Sequence, residues 1–184
     1  MAFKAKLSIK DKFEPITERC DRTLSQYQYI EIGDINIGTG IATPNVVLTE
    51  ELPDNAKIMT KANDILVSTV RPNRGAVSIL TQDDLLVSGA FTVLRESSDY
   101  PKEVLQVLLR LEMYRDWLLR YNVGTSYPVI KDTDVLNLPI PTFDSDTKES
   151  VVENIRKSYD LRDRSKHLLN IAVQTVEIAI ETNE

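Results

Sequence analysis

The sequence is poor in the side chains on which many enzymes depend. Its 184 residues hold one cysteine, Cys20, and one histidine, His167. A single cysteine excludes an intramolecular disulfide, and a single histidine leaves little room for histidine metal clusters or histidine-based dyads. Nothing at the N-terminus joins a basic start to an apolar stretch long enough for secretion, so a reduced cytoplasm is the expected setting. No run approaches the ~20 apolar residues of a membrane span. Positive charge is also scarce: the formal net charge is −6, whereas domains that hold nucleic acid by bulk charge alone are strongly basic. Any polyanion contact must therefore be local. No nucleophile elbow, Walker loop or framed carboxylate pair is present. Gly38 and Gly40 in "GDINIGTGIAT" form a G-x-G, but the third glycine of a dinucleotide fingerprint is missing and the stretch opens no helix, so it reads as a β-turn. "DTK" at 146–148 imitates half of a metal-dependent nuclease site, with Asp146 and Lys148 as its residues. It stands at a helix start, however, where a capped first turn accounts for it. The residues point to no catalytic and no metal-ligating set.

What is present is an α+β pattern. With 42% hydrophobic residues, the chain can bury one core but is too short for two full domains. Short β-branched or aromatic runs at 26–41, 45–52, 64–70, 75–80 and 89–95, divided by Gly, Pro and Asn, predict a compact, mostly antiparallel sheet. In "PKEVLQVLLRLEMYRDWLLRY", Val104, Leu105, Leu108, Leu111, Leu118 and Tyr121 recur at near-helical spacing behind Ser98 and Asp99 as caps. This predicts one helix of about five turns packed on the sheet. Prolines 128, 139 and 141 make 122–143 an extended connector. From Asp146 to Thr182 there is neither Gly nor Pro, which allows a helix of ~55 Å. Its Val152, Ile155, Tyr159, Leu169, Val173, Val176 and Ile180 fall on a heptad seam interrupted by Arg162 and Lys166, as in a coiled coil. That face either meets a partner helix, which the length favours, or folds back over the chain's own sheet. The expected division is a β-rich domain over 1–143 and a long helix over 144–184.

One loop stands out. In "NDILVSTVRPNRGAVSIL" (63–80), Arg71 and Arg74 flank Pro72 and Asn73. Proline stiffens the turn, and Gly75 lets the backbone reverse without a steric penalty. Arginine suits bidentate contact with guanine edges or phosphates. Alternatively, both arginines pair with surface carboxylates, a contribution under ~1 kcal/mol each.

The order "YIEIGDINIGTGI", "AKIMTKANDILVSTVRPNRGAVSIL", "SGAFTVLR", "WLLRYNVGTSYPVIKDTDVLNLPIP" and a long final helix resembles the specificity (S) subunit of type I restriction-modification enzymes. Asn63 stands where the family usually has glycine. The resemblance implies a target recognition domain followed by a spacer and dimerisation helix, here in a single-domain, half-subunit form. It implies that Arg71, Asn73 and Arg74 bind DNA, with Lys57, Lys61 and Arg95 as added backbone contacts nearby. Thr125, Ser126 and Tyr127 of "GTSYP" form a second candidate loop, which reads equally as a structural turn. The implied partners are double-stranded DNA, a methyltransferase (M) subunit that carries S-adenosylmethionine, a restriction (R) subunit and a second copy of the chain. No cofactor is expected on this chain itself. The Asn/Asp-Pro-Pro-aromatic motif of amino-methyltransferases is absent, in keeping with a subunit that selects DNA without modifying it. The competing reading is a protein-interaction adaptor that dimerises through its helix and has no DNA recognition.

Overall fold

The computed structural model describes residues 7–182; the outermost ends of the two expected domains, 1–6 and 183–184, lie outside the described residues. The chain divides into two compact units that meet at Thr142 and Phe143. The first contains strands β1 (Leu7–Ser8), β2 (Phe13–Pro15), β3 (Gln26–Ile30), β4 (Ile35–Asn36), β5 (Ile41–Ala42), β6 (Asn45–Leu48), β7 (Ala56–Thr60), β8 (Ile65–Ser68), β9 (Val77–Ile79), β10 (Leu85–Ser88) and β11 (Phe91–Glu96). Helices α1 (Lys102–Arg110), α2 (Glu112–Leu119) and α3 (Asp132–Leu136) follow, then β12 (Pro139–Ile140). The second unit is the helix α4 (Ser145–Thr182).

The architecture is α+β, but the expected single sheet is two four-stranded sheets, ordered β6-β3-β10-β7 and β2-β11-β8-β9. Pairing is antiparallel except between β3 and β10, which run parallel. More than fifty residues separate those two strands, ample for the crossover that parallel pairing needs. The central strands β8 (ILVS) and β10 (LLVS) are buried at every position. Alternation along β10 sends Leu85 and Val87 into a core with Leu66, Phe91 and Val93 of the other sheet. Leu86 meets Tyr27, Tyr29 and Leu52 on the opposite face.

The expected five-turn helix is broken. Leu111 has an extended backbone (φ −66, ψ 142) and ends α1 while opening α2. The break resets the helical phase: Leu111 is exposed, and Tyr114 and Leu118, one turn apart, become the buried face of α2. Ser98 and Asp99 do not cap α1, whose N-cap position is Pro101. The Tyr114 hydroxyl donates to the Pro139 carbonyl at 2.8 Å, tying α2 to β12. Extended Pro139 and Ile140 pair with Ser8 and Leu7.

The α4 helix starts at Ser145 and takes its cap from Asp144, not from Asp146. The Thr147 backbone N–H donates to Asp144 Oδ1 at 2.8 Å and its hydroxyl to Oδ2 at 2.9 Å. The backbone bond, then the hydroxyl bond, holds the Asp144 carboxyl below the usual aspartate value. No residue of α4 is buried. Among the described residues, no helix is long and apolar enough to cross a membrane.

Candidate nucleic-acid interface

The 71–75 loop is a tight turn built on backbone that few side chains adopt. Arg71 sits in the left-handed region (φ 52, ψ 51), and Gly75 closes the turn at φ 72, its N–H bonding the Pro72 carbonyl at 3.0 Å. Arg74 N–H returns to the Arg71 carbonyl at 2.9 Å. Beneath lies α2: the Arg115 stem would be 3.0 Å from a Cβ on Gly75, and its Nη1 reaches the Asn73 carbonyl at 3.5 Å. A side chain at 75 would crowd the Arg115 stem and take a left-handed backbone that few residues adopt. Pro72 is buried, whereas Arg71, Asn73 and Arg74 are exposed.

The second candidate loop closes against the first. Val70 bridges to Val129, Arg71 N–H donates to the Pro128 carbonyl at 2.7 Å, and Ile130 N–H donates to the Thr69 carbonyl at 2.9 Å. The Arg71 guanidinium lies over the Tyr127 ring, 5.5 Å from its centre. The 124–128 turn is organised by Asn122, whose Oδ1 accepts the N–H groups of Gly124 (2.8 Å) and Val129 (3.0 Å). Thr125, Ser126 and Tyr127 stand exposed on this frame. Two segments separated by 48 residues of sequence thus form one surface.

Beside that surface opens a cleft of about 410 Å³ lined by Ile32, Ile35, Val70, Ala76 and the side chains of Arg71, Arg74 and Tyr127. Its floor is apolar and its rim cationic. Among the described residues, no carboxylate lies within ion-pair distance of Arg71 or Arg74, so the carboxylate pairing that the sequence left open does not occur there. Unpaired guanidiniums on a rigid turn suit phosphates or base edges.

The remaining basic candidates divide by position. Lys57 on β7 lies against Gly89, its Cδ 3.5 Å from a Cβ built there. The adjacent Ala90 carbonyl accepts the Thr69 N–H at 2.9 Å, so Lys57 belongs to the same end of the domain as the arginine loop. Lys61 and Arg95 do not. The register Ile65↔Leu94 and Ser68↔Phe91 puts Arg95 beside the start of β8, whereas Arg71 follows its end. Arg95 is also engaged, its Nε and Nη2 donating to the buried Asp64 carboxylate at 2.7 Å each. These hydrogen bonds raise its pKa further. Asp64 Oδ2 also accepts the Lys61 backbone N–H at 2.8 Å. Arg95 thus stabilises the turn before β8, and the expectation that it and Lys61 neighbour the 71–75 loop is corrected.

Sequence reasoning missed Arg115 and Asn122, which hold the 71–75 and 124–128 loops, and Arg110, which holds the carbonyls of Ile37, Gly38 and Thr39. Only Asn122, two residues before Gly124 in a turn-rich stretch, carries a local signal. Asp146 and Lys148 occupy the first turn of α4, and among the described residues no group of three or more His, Cys, Asp or Glu is placed to hold a metal ion.

No family model matches the sequence, and no curated protein matches it. Solved structures do match. One is a chain from a structure concerned with complex assembly and conformational transition of the type I R-M system. It is 23% identical, has a TM-score of 0.68, and the match covers 94% of this chain and 47% of that one. Another is the HsdS subunit from Thermoanaerobacter tengcongensis, also 23% identical, with a TM-score of 0.66 over 92% of this chain and 44% of that one. The likeness is one of fold, and the chain spans about half the length of these structures.

Proposed function

We propose that this chain recognises double-stranded DNA and acts as the specificity component of a type I restriction-modification system. The observation that carries the reading is the convergence of the 71–75 and 124–128 loops, with unpaired Arg71 and Arg74 and the Tyr127 ring at the rim of one cleft. The fold shared with HsdS supports it. In this reading Arg71 and Arg74 contact guanine edges or phosphates. Asn73, Thr125, Ser126 and Tyr127 add polar and stacking contacts, and Lys57 a phosphate contact.

The chain selects the site; the chemistry belongs to a methyltransferase subunit that carries S-adenosylmethionine, with a restriction subunit as a further partner in the cytoplasm. With a net charge of −6, the chain alone binds DNA weakly, and phosphate neutralisation is shared with the methyltransferase. Mobility shifts with and without the methyltransferase of the same locus test this. Specific binding should appear with both, and log affinity should fall linearly with log salt. Replacing Arg71 and Arg74 together with alanine should lower specific affinity by ~1–3 kcal/mol for each arginine that pairs with a base edge. Unchanged affinity in that double variant removes the loop from the interface, and binding indifferent to salt favours the adaptor reading.

A further inference from the structure

The cleft has a second wall that neither candidate loop supplies. The β4–β5 hairpin places Ile35 and Ile37 in the lining of the cleft that Arg71, Arg74 and Tyr127 also line. Ile37 is 46% exposed, although a large aliphatic side chain at a hairpin tip gains nothing from facing water. The tip is also held unusually firmly. Arg110 of α1 donates from Nη2 to the carbonyls of Ile37 and Gly38 at 2.8 Å each, and from Nη1 to that of Thr39 at 3.3 Å. Gln106 donates to the Gly40 carbonyl at 3.2 Å. Gly40, at φ 73, is so enclosed that a Cβ there would stand 2.8 Å from Gln106 Nε2 and 2.9 Å from Arg110 Nη1. Asn36 braces the turn from inside, its Oδ1 accepting the Thr39 N–H at 3.0 Å. Four successive carbonyls, 37 to 40, are thus fixed by one helix.

A firmly held apolar side chain lining the same cleft as two arginines that have no carboxylate partner among the described residues matches the mixed chemistry of a major-groove floor. There, arginine pairs with guanine, and apolar side chains meet the C5 methyl of thymine. We propose that Ile37 reads a thymine methyl group beside the base pairs contacted by the arginine loop, and that Arg110 is the positioning residue that holds it there. This role rests on the DNA-recognition reading and adds a second, apolar determinant of specificity to it.

The test begins with duplexes enriched from a randomised library by the chain together with the methyltransferase of the same locus, in which each thymine is replaced in turn by deoxyuridine. At one position the loss of the methyl should weaken binding by the unaltered chain about fourfold, the worth of one buried methyl group. Ile37→Ala should bind the thymine duplex about as weakly and become insensitive to uracil at that position alone. Ile37 is exposed, so this variant keeps the fold. Arg110→Met should reduce the same sensitivity while the response to base changes opposite Arg71 and Arg74 persists, a pattern that general destabilisation does not produce. Sensitivity to uracil that survives in Ile37→Ala, or no sensitive thymine in an enriched sequence, overturns the role of Ile37 and leaves DNA recognition standing. Failure to enrich any sequence overturns both.

Discussion

The Arg71 guanidinium stands 5.5 Å from the centre of the Tyr127 ring, while the backbone N–H of the same arginine donates to the Pro128 carbonyl at 2.7 Å. One residue therefore joins the two loops twice, through its side chain and through its main chain. Its backbone is nonetheless unfavourable: a left-handed φ of 52 in a residue that also precedes proline, where extended backbone is preferred. Non-glycine residues held in that region cost about 1–3 kcal/mol and concentrate at functional sites.

This conflict separates folding from binding. Arg71→Gly relieves the backbone and Arg71→Ala does not, yet both remove the guanidinium. The glycine variant should therefore be more stable than the alanine variant by about 1 kcal/mol, read as the difference between their urea unfolding curves. Their DNA affinities should fall together. If the alanine variant is the more stable of the two, the strain assignment is wrong. If glycine restores DNA binding, the side chain does not touch DNA.

Arg95 should behave in the opposite way. The Asp64 side chain is fully buried and that of Arg95 only partly so, so Arg95→Ala leaves a carboxylate in the core without its partner. The expected loss is roughly 2–4 kcal/mol of folding stability, toward the lower end because water reaches the arginine site. Chemical denaturation measures it. Since Arg95 lies at the far end of β8 from the arginine loop, the salt dependence of DNA binding by the remaining folded protein should not change. A reduced slope would return Arg95 to the interface.

How far the sequence discloses all this depends on whether a feature is local. The 71–75 turn is local: Pro72 and Gly75 specify it, and Asn63 stands at φ 75, the left-handed backbone that asparagine tolerates better than most residues. The seam of α4 is a repeat within one helix, and so readable. The break at Leu111 is not, because no Gly or Pro marks it; it follows from the need to bury Tyr114 against the connector, a tertiary demand. Nor can the sequence sort Lys57 from Lys61 and Arg95, since which end of a sheet a residue occupies depends on register and on the pairing of distant strands. The union of the two loops is hidden for the same reason. Each is a candidate by its own residues, but they meet through the bridge between Val70 and Val129.

The last prediction concerns α4, which carries two apolar stripes in its C-terminal half. Leu169, Val173, Val176 and Ile180 continue the seam of Val152, Ile155 and Tyr159; Leu161, Leu168, Ile171 and Ile178 lie on another face, and all of the leucines, isoleucines and valines from 161 onward are between 45% and 73% exposed. A lone helix with this much apolar surface gains too little from propensity to remain ordered. Were the first stripe to pair two copies antiparallel, Arg162 and Lys166 of one would come near Asp160 and Asp163 of the other. Two-fold symmetry then requires a palindromic, interrupted target. Leu169→Asp with Val173→Asp should give monomers in sedimentation, because each buries an unpaired carboxylate in the seam, while the β-domain keeps its thermal transition. Leu168→Asp with Ile178→Asp, on the other face, should leave the dimer intact. Dimerisation should hardly respond to salt, since apolar burial drives it, whereas DNA affinity falls steeply. A chain that sediments as a monomer without substitution, and recruits no second copy when the methyltransferase is added, defeats the pairing.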